Sequence, residues 1–205
     1  MLKWLKGLFA GPPGFDTLPA VGRCRPIRVR PYTDADFDIC FSIYVRNEPG
    51  RFPEKYVDGF VRALRERTSL MLLAEDQGRV VGFGGVNVGG PSNENLAWLS
   101  FGMVEPFLHR HGYGTTILLA RLAALPEPPV AYVLGIGTAG SSDSFYERFG
   151  FHTQLVGVPE DSEFKFNFFQ VVFTREHWRL CRTILEKAGT TLDFGNAVVP
   201  GNVRD

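Results

Sequence analysis

The order of apolar and polar residues predicts strands in some parts of this chain and helices in others. Residues 27–30 read Ile-Arg-Val-Arg, and this alternation is typical of a strand with one buried face. A helix is predicted over 33–47, because Thr33 can act as its N-cap and apolar residues then recur at helical spacing. Pro53 favours the start of a second helix, over 53–67.

Three strand-like runs follow the two helices. They cover 70–75, 80–88 and 96–104, with a turn at 76–78 and a loop at 89–95. Short connections of this kind usually join antiparallel neighbours. The first half of the chain therefore predicts a strand, two helices and an antiparallel meander.

The second half of the chain alternates helices with strands. The predicted elements are a helix over 112–125, a strand over 130–136, a short helix over 142–149 ended by Gly150, a strand over 164–173 and a last helix over 174–188. The strand over 130–136 is apolar throughout, which is typical of a strand that is buried on both faces. Residues after 190 show no periodicity.

Proline and glycine mark the predicted boundaries of the domain. Residues 11–22 contain the runs GPPG and LPAVG, which are typical of a linker. We therefore predict an N-terminal arm over 1–23, a globular domain over 24–174, and a C-terminal helix and tail over 175–205. The first ten residues are amphipathic and too short to span a bilayer, so no stable membrane insertion is predicted.

Composition narrows the classes of function. The 205 residues include 22 Lys plus Arg and 22 Asp plus Glu, and this balance argues against a nucleic-acid-binding surface. The cysteines Cys24, Cys40 and Cys181 lie far apart, which predicts reduced thiols in a cytoplasmic protein rather than disulfides or a zinc site. His109 and His111 form a close pair with no set of cysteines or carboxylates beside them, so no metal is predicted.

The segment with the strongest chemical signal is 104–114, VEPFLHRHGYG, between a predicted strand and a predicted helix. Gly112 and Gly114 let the backbone turn tightly and approach a ligand. The N-terminus of the following helix presents free N–H groups, which suit a phosphate or pyrophosphate. A Walker loop is excluded because GxxxxGK[ST] is absent, and a dinucleotide fold is disfavoured because the third glycine of GxGxxG is missing.

This segment resembles the acetyl-CoA signature of the GNAT superfamily of N-acetyltransferases, Q/R-x-x-G-x-G/A, which often follows a strand ending in V-x-P. Val104-Glu105-Pro106 matches the strand end, and 109–114 matches the loop, with His109 at the Q/R position. A second family segment, (F/L)-Y-E-x-x-G-F, is similar to 145–151, Phe-Tyr-Glu-Arg-Phe-Gly-Phe. The resemblance covers 26–174, and two motifs in the family's order are more specific than either one.

The resemblance implies an α/β (α+β) fold with a mixed, mostly antiparallel central sheet flanked by helices, here extended by the N-terminal arm and the C-terminal helix. It implies acetyl-CoA as co-substrate and a strand that splays from its neighbour to pair with the pantetheine arm. The residues implied to bind acetyl-CoA are Met103, Val104, His109, Arg110, His111, Gly112, Tyr113 and Gly114. By family position, Tyr146 is the general acid for the leaving thiolate.

The proton acceptor is less well marked than the acid. Many relatives carry a glutamate on the strand before the loop, but 97–103 contains no carboxylate. Glu94 is the nearest candidate base, and Ser100 or an ordered water could relay the proton instead. Family substrates commonly contact the loop after the first helix, where Arg46 and Arg51 could pair with a substrate carboxylate or phosphate.

Three classes of function stay open at this point. The first is an N-acetyltransferase whose acceptor is a small-molecule or protein amine of unknown identity. The second is an inactive module of the same fold that binds an acyl-CoA as a regulatory ligand, which the missing strand carboxylate and His109 favour. The third is a structural role in which the N-terminal arm and the C-terminal helix build an oligomer. A Phe-rich strand over 164–173 would look the same in a core and in a homodimer interface.

Overall fold

The computed structural model describes residues 24–47, 54–89, 94–138, 142–157 and 166–201. These residues form one eight-stranded sheet with helices packed on both faces. The predicted arm over 1–23 lies outside the described residues. Among the helices of the described part, none is long and apolar enough to cross a bilayer.

The strands are β1 Arg28–Pro31, β2 Leu70–Asp76, β3 Arg79–Val88, β4 Leu96–Val104, β5 Ala131–Thr138, β6 His152–Gly157, β7 Phe166–Thr174 and β8 Thr191–Leu192. The α-helices are α1 Phe37–Asn47, α2 Glu54–Glu66, α3 Tyr113–Ala124, α4 Asp143–Glu147 and α5 Arg175–Lys187. Short 3-10 turns at Asp34–Asp36 and Pro106–Leu108 precede α1 and α3.

The sheet has the strand order β6-β7-β5-β4-β3-β2-β1-β8. All neighbours pair antiparallel except β4 with β5 and β1 with β8, which are parallel. The predicted mixed, mostly antiparallel sheet flanked by helices is therefore confirmed. The parallel pair β4–β5 lies in the middle of the sheet, and α3 forms the crossover that such a pair requires.

The two faces of the sheet bury different sets of side chains. Along β2, Leu70, Leu72 and Ala74 join the core under α3 and α5, whereas Met71 and Leu73 join the core under α1 and α2. This alternation follows from the two-residue period of a strand. Both faces are covered, and β3 is almost wholly buried, whereas β4 keeps several partly exposed residues and one exposed residue.

Local signals explain where several elements begin and end. Thr33 is the N-cap of the first helical turn and shares a capping box with Asp36, as predicted for that residue. Thr174 caps α5, where its hydroxyl accepts a hydrogen bond from the backbone N–H of His177. Gly150 has a positive φ of 77°, a backbone conformation that favours glycine, just after the turn that ends α4.

Two strands are present that the sequence patterns did not predict. β6 pairs antiparallel with β7 at one edge of the sheet, and the two-residue β8 pairs parallel with β1 at the other. The C-terminal segment without periodicity also contacts the sheet, since the Val88 N–H donates to the Pro200 carbonyl at 3.1 Å. Tertiary pairing rather than local sequence pattern places these segments.

Candidate active site

The site begins where two central strands separate. β4 and β5 pair from Leu96 and Val133 to Leu99 and Ile136, and no later residue of β4 pairs with β5. β4 continues to Val104 beyond this point. The sheet therefore opens into a V-shaped gap in which the main-chain groups of one β4 edge have no strand partner.

A bulge in β4 borders the gap. Phe83 pairs with Met103 and Gly85 pairs with Ser100, so three steps along β4 oppose two steps along β3. The extra residue lies at Phe101–Gly102, and Phe101 has a φ of 46°, which is uncommon for a residue with a side chain. The bulge lies just beyond Leu99, where the pairing of β4 with β5 ends.

A cavity of about 260 Å³ occupies this gap. Its walls are residues 99–103 of β4, 136–138 of β5, and Tyr44, Tyr56, Ser142 and Tyr146. These side chains are aromatic, aliphatic or hydroxylic. Within the described part of the chain, no carboxylate and no cationic side chain lines the cavity.

Tyr146 reaches the cavity from α4. Its side chain is buried, and its ring makes edge contacts with Phe145 and Phe151 at centroid distances of 5.0 and 5.6 Å. A Cβ atom placed on Gly102 would lie 3.3 Å from the Tyr146 hydroxyl. The hydroxyl therefore lies directly beside the β4 bulge, and the absence of a side chain at Gly102 leaves room for it.

The glycine loop lies at the far end of β4. After the 3-10 turn the chain passes through Arg110, with a φ of 64°, to Gly112, with a φ of 94°, and α3 then begins at Tyr113. Gly112 is the N-cap, and no side chain caps this end of the helix. The first N–H groups of α3 therefore face outward without intrahelical partners, at the positive end of the helix dipole.

The side chains of this segment form hydrogen bonds within the protein. The His109 Nε2 atom hydrogen-bonds the Val104 carbonyl at 3.0 Å, and the His111 Nδ1 atom hydrogen-bonds the His109 carbonyl at 2.8 Å. Tyr113 is buried, and its hydroxyl donates to the Asp76 carboxylate. That hydrogen bond and burial raise the pKa of Tyr113. Arg110 remains exposed at the mouth of the loop.

The loop and the cavity adjoin each other. A Cβ atom placed on Gly114 would lie 3.7 Å from the Phe145 ring and 3.9 Å from a Val104 methyl group. Gly114 thus sits between the end of β4 and the helix that carries Tyr146. The structure brings together Met103, Tyr146 and the glycine loop, which the sequence predicted as parts of one site.

The predicted substrate residues are placed differently. The Arg46 guanidinium donates to the carboxylate of Glu105, at 3.0 Å from Nε to Oε2 and 2.5 Å from Nη2 to Oε1. Glu105 is completely buried, so this pair ties α1 to the end of β4. Arg46 therefore serves an internal ion pair in this structure, and Arg51 lies outside the described residues.

Glu94, the predicted base, is exposed in the turn before β4. Ser100 lies six positions further along the chain, which is about 20 Å along an extended strand. Glu94 lies at the opposite end of β4 from the gap and is not among the residues that line the cavity. Ser100, the predicted relay, does line the cavity, and its hydroxyl lies 3.2 Å from that of Ser69.

One carboxylate near the cavity was not singled out from the sequence. The cavity-lining Thr138 hydroxyl donates to the Asp143 carboxylate, and the Asn167 amide donates to it at 2.5 Å. Asp143 lies in the first turn of α4, where an acidic residue is common for the helix dipole alone, so its position carried no specific signal. Within the described residues, no group of three potential metal-ligating side chains comes together.

Comparison with known proteins gives one family. The model described as the acetyltransferase (GNAT) family matches residues 37–151. No curated protein that was compared matches the sequence.

Solved structures share the fold at low sequence identity. A GNAT-family acetyltransferase from Bacillus cereus is 17% identical, with a TM-score of 0.52, over 72% of this chain and 97% of that one. A ribosomal-protein-alanine N-acetyltransferase from Brucella melitensis is 20% identical, with a TM-score of 0.51, over 71% and 99%. The yncA protein from Salmonella typhimurium, solved with its cofactor acetyl-CoA, is 17% identical, with a TM-score of 0.51, over 71% and 92%.

Proposed function

This chain belongs to the acetyltransferase (GNAT) family, and we propose that it transfers an acetyl group from acetyl-CoA to an amine by direct attack on the thioester. The observation that carries the proposal is the gap between β4 and β5, which joins an unpaired strand edge, the Tyr146 hydroxyl and an uncapped helix N-terminus in one groove. These three features correspond to the pantetheine arm, the reacting thioester and the pyrophosphate of one acetyl-CoA molecule.

The described residues suit acetyl-CoA. The backbone amides of 112–114 offer donors to the pyrophosphate, because no side-chain hydrogen bond caps that end of α3. The exposed Arg110 and His111 add positive or titratable charge there. The main chain at Met103 offers an open strand edge to the amide groups of the pantetheine arm, whereas the Val104 carbonyl already interacts with Asn47 and His109. Acetyl-CoA would supply the thioester carbonyl as the electrophile.

Tyr146 is the proposed general acid. As the amine nitrogen bonds to the thioester carbon, the carbon–sulfur bond breaks and its electron pair stays on sulfur. The Tyr146 hydroxyl then gives its proton to that sulfur, and the proton released by the acetylated nitrogen returns to solvent or to the phenolate. The position of the hydroxyl beside the β4 bulge supports this role, because the thioester would lie at the same bulge.

Glu94 stays the predicted acceptor of the proton that the amine releases. Since Glu94 lies outside the cavity, it would act through a chain of waters along β4. Asp143 offers a shorter route through the Thr138 hydroxyl. An unchanged pH–rate profile in Glu94→Gln, with an altered one in Asp143→Asn, would remove Glu94 from the mechanism.

The acceptor is a small-molecule or protein amine, and the cavity gives a first indication of its chemistry. Hydroxyl and aromatic groups from Tyr44, Tyr56 and Ser142 surround the space next to the thioester position. Such a lining favours an uncharged segment around the reacting nitrogen rather than a dense anionic group. Arg51 stays a predicted contact for a more distant anionic group, whereas Arg46 would first have to leave Glu105. Unchanged KM values in Arg51→Ala and Arg46→Ala across an amine panel would remove both from substrate binding.

The first test is a calorimetric titration with acetyl-CoA. A Gly114→Leu variant places a side chain between Phe145 and Val104, where the open space is needed by the ligand, and we expect binding to weaken at least 100-fold. The matched control is Gly59→Leu, since a Cβ on Gly59 meets nothing within 4 Å. Micromolar binding by the control and wild-type proteins supports the site, whereas undetectable binding by wild type contradicts it.

The regulatory acyl-CoA-binding module is a second candidate, favoured by the absence of a carboxylate from the described lining of the cavity. Saturable acetyl-CoA binding without release of free CoA over a broad amine panel would support it over the enzyme. For either function we place the protein in the cytoplasm, because Cys24, Cys40 and Cys181 are buried free thiols.

A further inference from the structure

A buried arginine of α3 lies directly behind the bulge of β4. Arg121 is 1% exposed and lies in a helix segment whose neighbours are buried apolar residues. Among the described residues, its hydrogen-bond partners are two main-chain carbonyls with no carboxylate among them, and the Tyr146 phenol lies close to its guanidinium. Burial lowers the pKa of its guanidinium, but an arginine side chain keeps its charge in proteins.

Two glycines form the slot that holds this side chain. A Cβ atom placed on Gly84 of β3 would lie 2.8 Å from the Arg121 Cδ atom, and one placed on Gly102 of β4 would lie 2.7 Å from Nη1. Both distances are shorter than non-bonded carbon contacts allow. The guanidinium can therefore occupy this position only because both neighbouring strands lack a side chain there.

The guanidinium hydrogen-bonds to both strands at one border of the bulge. Its Nε atom donates to the Gly85 carbonyl at 2.9 Å, and Nη2 donates to the Ser100 carbonyl at 3.2 Å. Gly85 and Ser100 form the pair that borders the bulge on β3 and β4. Arg121 thus contacts both strands at the border of the bulge.

The remaining nitrogen points to the proposed general acid. The Cβ position on Gly102 that lies 2.7 Å from Nη1 also lies 3.3 Å from the Tyr146 hydroxyl, so the cation and the phenol are close neighbours at the bulge. A guanidinium has donors and no acceptor, so in a hydrogen bond between the two groups the phenol oxygen is the acceptor. The single phenolic proton is then free to point into the cavity.

We propose that Arg121 is a positioning residue for acetyl transfer, which orients the Tyr146 hydroxyl as a proton donor and stabilises the phenolate that remains after donation. The inference rests on the proposed function and extends it to a residue outside the cavity lining. In the step concerned, the Tyr146 proton moves to the sulfur of CoA as the carbon–sulfur bond breaks. The resulting phenolate faces a buried cation until the proton released by the amine restores it.

A double-mutant cycle in kcat tests the inference with Arg121→Met, Tyr146→Phe and the double variant, measuring CoA thiol release from acetyl-CoA with the best amine of a panel. We expect Tyr146→Phe to lower kcat about 100-fold or more and Arg121→Met about 10-fold or more. In the Tyr146→Phe background, Arg121→Met should lower kcat less than about twofold. The KM for acetyl-CoA should change less than about threefold, since neither residue belongs to the glycine loop.

Gly84→Ala gives an independent variant in case Arg121→Met does not fold. Its methyl group would meet the Arg121 Cδ and Nε atoms and displace the guanidinium without removing either side chain, so it should reproduce the loss of kcat, whereas Gly59→Ala should not. Losses that multiply in the double variant, or a wild-type kcat in Arg121→Met, overturn the inference while the proposed function stands. An inactive wild-type protein overturns the proposed function and this inference with it.

Discussion

At the scale of single residues, a buried carboxylate holds the strand end that leads into the glycine loop. Glu105 has no exposed surface, and Arg46 donates to both of its oxygens. The neighbouring Asn47 amide donates to the Val104 carbonyl at 2.9 Å. These contacts fix α1 over the end of β4, next to the residues that would bind pantetheine, so Arg46 acts on the site through the backbone.

We predict that Arg46→Met destabilises the protein, because it leaves the Glu105 carboxylate buried without a partner. Loss of one member of a fully buried pair removes several kcal/mol, but the Arg46 side chain is 42% exposed, so we expect about 2 kcal/mol. The measurement is the free energy of unfolding in urea at neutral pH.

The control for this prediction is Arg67→Met. Arg67 pairs with Asp34 at 3.2 Å, and the side chains are 64% and 82% exposed, so this loss should be below about 0.5 kcal/mol. Equal losses in the two variants would mean that the Glu105 carboxylate is hydrated or protonated in the Met variant, and would contradict the structural role given to the pair.

At the scale of secondary-structure elements, one ion pair connects β1 with the first turn of the helical segment. Arg30 donates to both oxygens of Asp36, at 2.8 and 2.7 Å, and Thr33 donates to the same carboxylate through its N–H and its hydroxyl. These hydrogen bonds, with that from Arg30 the largest, lower the pKa of Asp36 to about 2. The carboxylate thus sets where the strand ends and the helix begins.

We predict an acid-dependent loss of stability from Asp36. Its pKa lies below the unfolded value of 3.8, so the stabilisation is complete above about pH 5 and disappears as the pH falls towards 2. The shift corresponds to about 2 kcal/mol. Urea unfolding at pH 7 and pH 2.5 should therefore show a larger loss for wild type than for Asp36→Asn.

Asp34→Asn is the matched control for the acid effect. Asp34 lies two residues away in the same turn, but its side chain is 82% exposed and has a single ion pair. We expect its pH dependence to follow that of wild type. If Asp34→Asn reduces the loss of unfolding free energy between pH 7 and pH 2.5 as much as Asp36→Asn does, the Arg30 ion pair is not the cause of that loss.

At the scale of the whole molecule, the C-terminal helix belongs to the main core. Cys181, Ile184 and Leu185 of α5 are buried against α3 and the sheet, and the Trp178 indole N–H donates to the Leu125 carbonyl at 2.9 Å. After α5, β8 extends the sheet beside β1. The C-terminal region therefore supports the helix that carries the glycine loop at its other end.

We predict that Leu185→Ala costs about 3 kcal/mol of folding free energy, because it removes a fully buried side chain and leaves a cavity beside α3. Leu180→Ala makes the same chemical change on a partly buried residue of the same helix and should cost about 1 kcal/mol. Thermal and urea unfolding would measure both. Similar losses in the two variants would contradict the packing of α5 described above.

Much of the element order could be predicted from local sequence. The bounds predicted for the strand over 96–104 agree with β4, and the helix over 112–125 agrees with α3 to within one residue at each end. Both have strong periodic patterns and clear breakers at their ends. β6 and β8 were missed because six and two residues, respectively, carry too little pattern, and their strand geometry depends on β7 and β1.

The glycine loop, the tyrosine motif and the order of the elements between them could be predicted from the amino-acid sequence, because each depends on residues that are close together along the chain. Tertiary structure alone decided the gap between β4 and β5, the pairing of Arg46 with Glu105, and the slot that places Arg121 against Tyr146. The residues that these hydrogen bonds of Arg46 and Arg121 join are 21 to 59 positions apart along the chain. Buried polar groups take whichever partners the packed fold brings within reach, and local patterns do not encode that choice.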